Sequence, residues 1–145
     1  MYFVDRELME QRLLYIEQLA ALFKAQGKWE SPVEKAALER IAHMLAEAML
    51  DVGNAMIDGF IMRDPGSYED IIDILLDEKV VDESVSAKLK VLVSQRKQLV
   101  QFYTAIDHGH LAADLAAILD GVEAFPGLVR TYLVKELGPV SAFKN

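Results

Sequence analysis

The chain contains no cysteine, which rules out disulfide scaffolds, thiolate metal sites and cysteine nucleophiles. Proline and glycine are sparse, 4 and 8 of 145 residues, so little interrupts long regular elements. Basic residues are outnumbered: 15 Lys and Arg stand against 23 Asp and Glu, for a formal net charge of −8. That balance disfavours capture of nucleic acid over a broad surface, which normally needs a basic face, so any RNA contact is expected to be focal. No apolar run approaches the roughly 18 residues needed to cross a bilayer. Met1-Tyr2-Phe3-Val4-Asp5-Arg6-Glu7 lacks the basic start and apolar core of a secretory signal. The expectation is a cytoplasmic protein without membrane contact, folded as one domain over residues 1–145.

What is present is apolar content, 52% of the residues beside 26% charged ones, a composition that argues against disorder. Asp5 is a good cap for a first helix reaching about Lys24. Leu8, Leu13, Ile16, Leu19, Ala20 and Phe23 recur there at helical spacing, and Gly27 supplies a stop. Ser31-Pro32-Val33-Glu34 combines a serine cap, proline at the first helical position and glutamate three residues after the cap. This second helix is expected to run to about Met62, before Asp64-Pro65-Gly66. Ser67-Tyr68-Glu69-Asp70 opens a short helix to about Glu78, with Ile71, Ile72, Leu75 and Leu76 facing inward. Asp82 caps a fourth helix predicted to reach about Asp107, and His108-Gly109-His110 reads as a turn. A fifth helix begins near Leu111, is kinked or broken at Pro126, and ends at Gly138-Pro139. With no alternating strand pattern and no internal repeat, the fold class is all-α: an up-and-down bundle of four to five helices.

Two polar features interrupt this apolar patterning. On the fourth helix, Val85, Leu89, Leu92, Val100 and Tyr103 fall on one stripe, and Arg96 lies near its centre. A buried guanidinium needs a carboxylate, a phosphate or water to satisfy its donors. On the second helix, Arg40, His43, Glu47, Asp51, Asn54 and Asp58 form a narrow polar line on an otherwise largely apolar rod. That line is a solvated face, a source of a carboxylate partner for Arg96 (Glu47, Asp51 or Asp58), or a ligand or metal site.

Arg96-Lys97-Gln98-Leu99-Val100-Gln101-Phe102-Tyr103 resembles the HEPN ribonuclease motif, whose usual form is Arg-Asn-x-Leu-Val-His-x-Tyr. Arg96, Leu99, Val100 and Tyr103 match it, followed by Ile106-Asp107, where the family commonly has the same pair. Val4-Asp5-Arg6 at the first helix, Ser67-Tyr68-Glu69-Asp70 at the short one, and Val80-Val81 before the motif helix extend the likeness to HepT-like proteins over most of the chain. The resemblance implies an all-α homodimer, with active members being metal-independent RNases of toxin–antitoxin systems. It also implies a minimal nucleotidyltransferase as antitoxin partner, able to attach AMP to the motif tyrosine. Carried over, Arg96 stabilises the scissile phosphate, Tyr103 is the AMPylation site, and no cofactor or metal is required; by its own charge, Lys97 can hold a phosphate together with Arg96.

Two motif positions differ. The asparagine position is Lys97 and the histidine position is Gln101. Glutamine hydrogen-bonds but does not titrate, so it cannot act as general acid or base. Loss of such a group costs roughly 10²–10⁴ in rate. Five residues also rotate an ideal helix by about 140°, so Arg96 and Gln101 do not project together unless the helix distorts or a second subunit contributes. His108 and His110 would lie roughly 18 Å along a straight rod from Arg96, out of reach, and read as solvated turn residues; His43, on the polar line, is a slightly better candidate but still reads as structural. The expected function is RNA or nucleotide phosphate binding with weak or lost ribonuclease activity. The alternative is a non-catalytic homodimeric interaction or regulatory protein whose Arg96 is a structural ion pair.

Overall fold

Each helix of this chain begins at a side-chain cap. Asp5 accepts from the Leu8 amide, Ser67 from Asp70, Asp82 from Val85 and Asp107 from His110. Ser31 and Glu34 form a full capping box, the Glu34 carboxylate taking the Ser31 amide at 2.8 Å and the Ser31 hydroxyl the Glu34 amide at 3.1 Å. The computed structural model describes residues 3–138 and contains α1 (Arg6–Ala25), α2 (Pro32–Gly59), α3 (Tyr68–Asp77), α4 (Glu83–Gln101) and α5 (His108–Leu137). Among the described residues there is no strand. Met1, Tyr2 and Pro139, the second residue of the expected helix stop, lie outside them.

The helices form the expected all-α bundle. α2 is central and touches the other four, α1 and α5 pack together, and α3 bridges α2 and α4. α2 is buried through Leu38, Ile41, Leu45, Met49, Val52 and Met56. α1 buries Met9, Leu13, Ile16, Leu19, Ala20 and Phe23; Leu8, expected inside, is exposed, and Met9 takes its place. On α3, Ile74 is buried while Leu76 is only partly so. Gly53 lets α3 approach closely: a β-carbon there would lie 2.6 Å from the Ile71 side chain. Trp29 stacks on Phe23, with ring centroids 5.5 Å apart, and packs the α1–α2 connection onto the core.

Several boundaries differ from the sequence expectation, each for a local reason. α2 stops at Gly59 rather than near Met62, because Ile61 takes a left-handed φ of 55° and the Met62 amide donates back to the Ile57 carbonyl at 2.9 Å. This is a Schellman ending with isoleucine where glycine is usual. Lys79, at φ 61°, ends α3 in the same way, Val80 donating to Leu75 and Lys79 to Leu76. Isoleucine is a poor occupant of that conformation, which costs an L-residue roughly 1–2 kcal/mol. Ile61→Gly is therefore expected to stabilise the protein by about 1 kcal/mol, seen as a higher urea midpoint.

α4 ends at Gln101, not near Asp107, and the chain reverses over residues 102–107. Asp107 caps α5, so His108-Gly109-His110 is the first helical turn and α5 starts three residues earlier than expected. α5 also runs unbroken through Pro126. Proline removes only the donor that would reach the Val122 carbonyl, and buried Val122, Phe125, Pro126 and Val129 hold the segment.

The α2–α3 connection is fastened by a fork. Arg63 Nη1 and Nη2 donate to the two oxygens of Asp70, both at 2.8 Å, and the Gly66 amide donates to the same carboxylate at 2.8 Å. Arg63 first, then the Gly66 amide, lowers the Asp70 pKa to about 2. An unfolded aspartate titrates near 3.9. The stabilisation from this lowered pKa is therefore present above about pH 4 and is lost as the pH falls towards 2. Asp70→Asn is expected to be less stable than wild type at neutral pH, with the gap closing by pH 2. Urea titrations across that range check it.

Candidate functional site

The face of α4 that meets α2 and α3 carries Arg96. Its side chain is 24% exposed, and its Nε donates a hydrogen bond to Glu47 Oε1. The guanidinium carbon sits 4.6 Å from the centroid of the Tyr68 ring, a cation–π contact that fixes the plane of the group. The Glu47 hydrogen bond, against the opposing effect of burial, raises the Arg96 pKa further, so it is a permanent cation. Its terminal nitrogens, Nη1 and Nη2, have no hydrogen-bond partner among the described residues.

Arg130 shows the contrast. It donates through Nε and Nη2 to Glu10 and through Nη1 and Nη2 to Glu17, at 2.8–2.9 Å. Glu17 and then Glu10 push its pKa up. Every nitrogen of that guanidinium is engaged. Arg96 is held by one edge and one face, which leaves its outer fork open. A fork of that kind matches two oxygens of a phosphate.

Glu47 also meets His43, whose Nε2 lies 3.4 Å from the same Oε1 that Arg96 uses. His43 and Glu47 are each about one third exposed. Of the other α2 acids, Asp51 and Asp58 are exposed, as are Arg40 and Asn54; Glu47 is the carboxylate that Arg96 meets. One further α2 acid, Glu39, is 2.7 Å from Nε2 of His108. His108 is thus a partly buried partner of α2 and not a solvated turn residue, because the reversal after Gln101 folds it back. His110 is exposed beside Asp114, at 3.1 Å.

The remaining motif positions lie at the end of α4. Lys97 is exposed, its Nζ 6.0 Å from the Phe102 ring centroid, and Gln101 is exposed as the last helical residue. Tyr103 stands in the reversal with 64% of its surface open, and Val100 and Phe102 are exposed beside it in sequence. The expected apolar stripe therefore divides: Val85, Leu89 and Leu92 are buried, whereas Val100 and Tyr103 are not. Sequence reasoning missed Tyr68 as the platform for Arg96. It also missed Gln95, which is 4% exposed with neither amide atom hydrogen-bonded among the described residues. Its spacing of three from Leu92 was the available signal. Lys88 and Lys90 are paired with Asp120 and Asp73 at 2.9 and 2.6 Å. Among the described residues no group of three or more His, Asp or Glu side chains is placed to hold a metal ion.

Against known proteins, the family model "Ribonuclease HepT-like" matches residues 9–128. The chain is 54% identical over 144 residues to a Bacillus subtilis (strain 168) protein named "Putative RNase YutE", a match covering 99% of this chain and 100% of that one. A solved structure of YutE from Bacillus subtilis, titled a cytosolic protein of unknown function, superposes with a TM-score of 0.95 at 53% identity, covering 99% of this chain and 100% of that chain. A crystal structure of a toxin–antitoxin with AMP-PNP superposes with a TM-score of 0.72 at 14% identity, covering 85% of this chain and 95% of that chain, a likeness of fold. Among the described residues no helix is long and apolar enough to cross a membrane.

Proposed function

Because this chain belongs to the HepT-like ribonuclease family, we propose that it binds an RNA or nucleotide phosphate on Arg96 and acts with weak ribonuclease chemistry in a toxin–antitoxin-type system. The observation that carries this reading is the guanidinium held by Glu47 and Tyr68 with its outer fork free. A phosphate docked there meets a preorganised, permanently charged donor pair. Lys97, exposed one residue on, adds positive charge at the same end of α4. Gln101 supplies no proton transfer, which is why the chemistry is weak.

Two further elements belong to the proposal. Val100, Phe102 and Tyr103 form an exposed apolar run at the end of the motif helix, suited to burial against a second copy of this chain in a cytoplasmic homodimer. Tyr103 presents its hydroxyl in an open reversal, where a nucleotidyltransferase antitoxin can AMPylate it.

The test is binding of a short 2′-O-methyl RNA, which cannot be cleaved through its 2′-oxygen. Wild type is expected to bind it. Arg96→Ala is expected to lose at least tenfold in affinity, with equal affinities overturning the reading. Gln101→His is expected to raise cleavage of ordinary RNA, since it restores a titrating group.

The contact with Glu47 favours a second reading, in which Arg96 is a structural ion pair of a non-catalytic partner protein. That reading predicts unchanged RNA affinity in Arg96→Ala together with a lower urea midpoint.

A further inference from the structure

Glu39, His43 and Glu47 follow one another at intervals of four along α2, which places them on one face. Two imidazole–carboxylate pairs lie on this face: His108 with Glu39, and His43 with Glu47. They are not equivalent. Glu39 is eight residues from Glu47, about 12 Å along the axis. His43 shares a single oxygen of Glu47 with Arg96. His43 is therefore the histidine that stands beside the Arg96 guanidinium, across one oxygen of Glu47.

We propose that His43 is the proton-transfer residue of this protein, doing from α2 the work that Gln101 cannot do from α4. The proposal rests on Arg96 being the phosphate site. His43 Nε2 lies 3.4 Å from Glu47 Oε1, so Nδ1, the ring nitrogen not in contact with that carboxylate, is the one assigned the proton transfer. Histidine is the side chain suited to such transfer near neutral pH. With RNA in place, His43 Nδ1 removes the proton from a ribose 2′-hydroxyl, and the 2′-oxygen forms a bond to phosphorus. The bond from phosphorus to the 5′-oxygen breaks, and that oxygen leaves with the electron pair and takes a proton from water. Arg96 neutralises the non-bridging oxygens throughout. The products are a 2′,3′-cyclic phosphate and a 5′-hydroxyl end, and His43 returns its proton to solvent. Neither redox change nor metal enters the balance.

The experiment compares purified wild type with His43→Gln, His108→Gln, His110→Gln and Arg96→Ala, measuring RNA cleavage and affinity for the 2′-O-methyl RNA. Wild type is expected to release cyclic-phosphate ends. His43→Gln is expected to cleave 10²–10⁴-fold more slowly while binding the methylated RNA within twofold of wild type. His110→Gln, at an exposed residue away from this cluster, is expected to cleave normally. In case His43→Gln folds poorly, His43→Ala supplies a second readout. Its cleavage is expected to recover at least tenfold on adding free imidazole, which a purely structural role would not produce. Wild-type cleavage by His43→Gln overturns the inference, as does loss of cleavage in His108→Gln alone. Wild type that binds the methylated RNA through Arg96 but never cleaves RNA overturns the inference and leaves the phosphate site standing. Equal binding by Arg96→Ala overturns that site itself.

Discussion

Arg96→Ala is expected to slow RNA cleavage by about 10²–10³-fold, the usual consequence of removing a preorganised donor aimed at developing negative charge. Attack on phosphorus gathers charge on the non-bridging oxygens, and the free Nη1 and Nη2 groups are the nearest permanent donors at this site. Arg96→Lys keeps the charge but loses the planar fork and the fit against Tyr68, so an intermediate rate is expected. The loss is not a folding effect. Arg96 and Glu47 are 24% and 28% exposed, and a pair that is partly solvated contributes about 1 kcal/mol or less to stability. Parallel measurement of initial rates and urea midpoints separates the two. A rate unchanged in a well-folded Arg96→Ala protein would remove arginine from the chemistry.

Phe125→Ala is expected to cost about 3–5 kcal/mol of stability. Phe125 is the bulkiest fully buried side chain of the described residues, at 0% exposure. It lies in the middle of α5, the helix that packs on α1, α2 and α4. Truncation leaves a cavity at that junction, beside Pro126, where the backbone already lacks one donor. Phe125→Leu, which refills most of the volume, is expected to cost nearer 1 kcal/mol. Urea denaturation followed by far-ultraviolet circular dichroism checks both. A loss below 1 kcal/mol for the alanine variant would contradict the packing described here.

The helix starts were the most legible part of the chain, because Asp5, Ser31, Ser67 and Asp82 announce themselves by side-chain chemistry. Asp107 is a cap of the same kind, yet Gly109 drew attention to a turn and hid it. The ends were harder to read. Glycine normally marks a left-handed helix ending, and here isoleucine and lysine occupy that conformation at positions 61 and 79. Misplacing the end of α4 had a further effect, since it left Tyr103 on a core stripe and put His108 far out on a straight rod. In the site, the misfit of Arg96 among apolar neighbours was visible from spacing alone. Its choice of Glu47 over Asp51 and Asp58 was not, because that depends on the axial offset between α2 and α4. Tyr68 escaped notice because a ring one residue past a helix cap carries no periodic signal.

The double grip of Arg130 on Glu10 and Glu17 joins two parts of the chain more than a hundred residues apart. The two acids sit about 10 Å apart along α1, so the guanidinium fits between them at one axial setting of α5 only. Arg6 adds a second tie by donating to the Gly138 carbonyl at 2.8 Å. Neither end of the molecule can unzip by itself: fraying α1 strands a cation on α5, and fraying α5 strands two anions on α1. Amide protons of the first and last helices should therefore exchange at similar rates, as one cooperative unit. Concentrated salt should loosen that unit before it affects the apolar centre around α2.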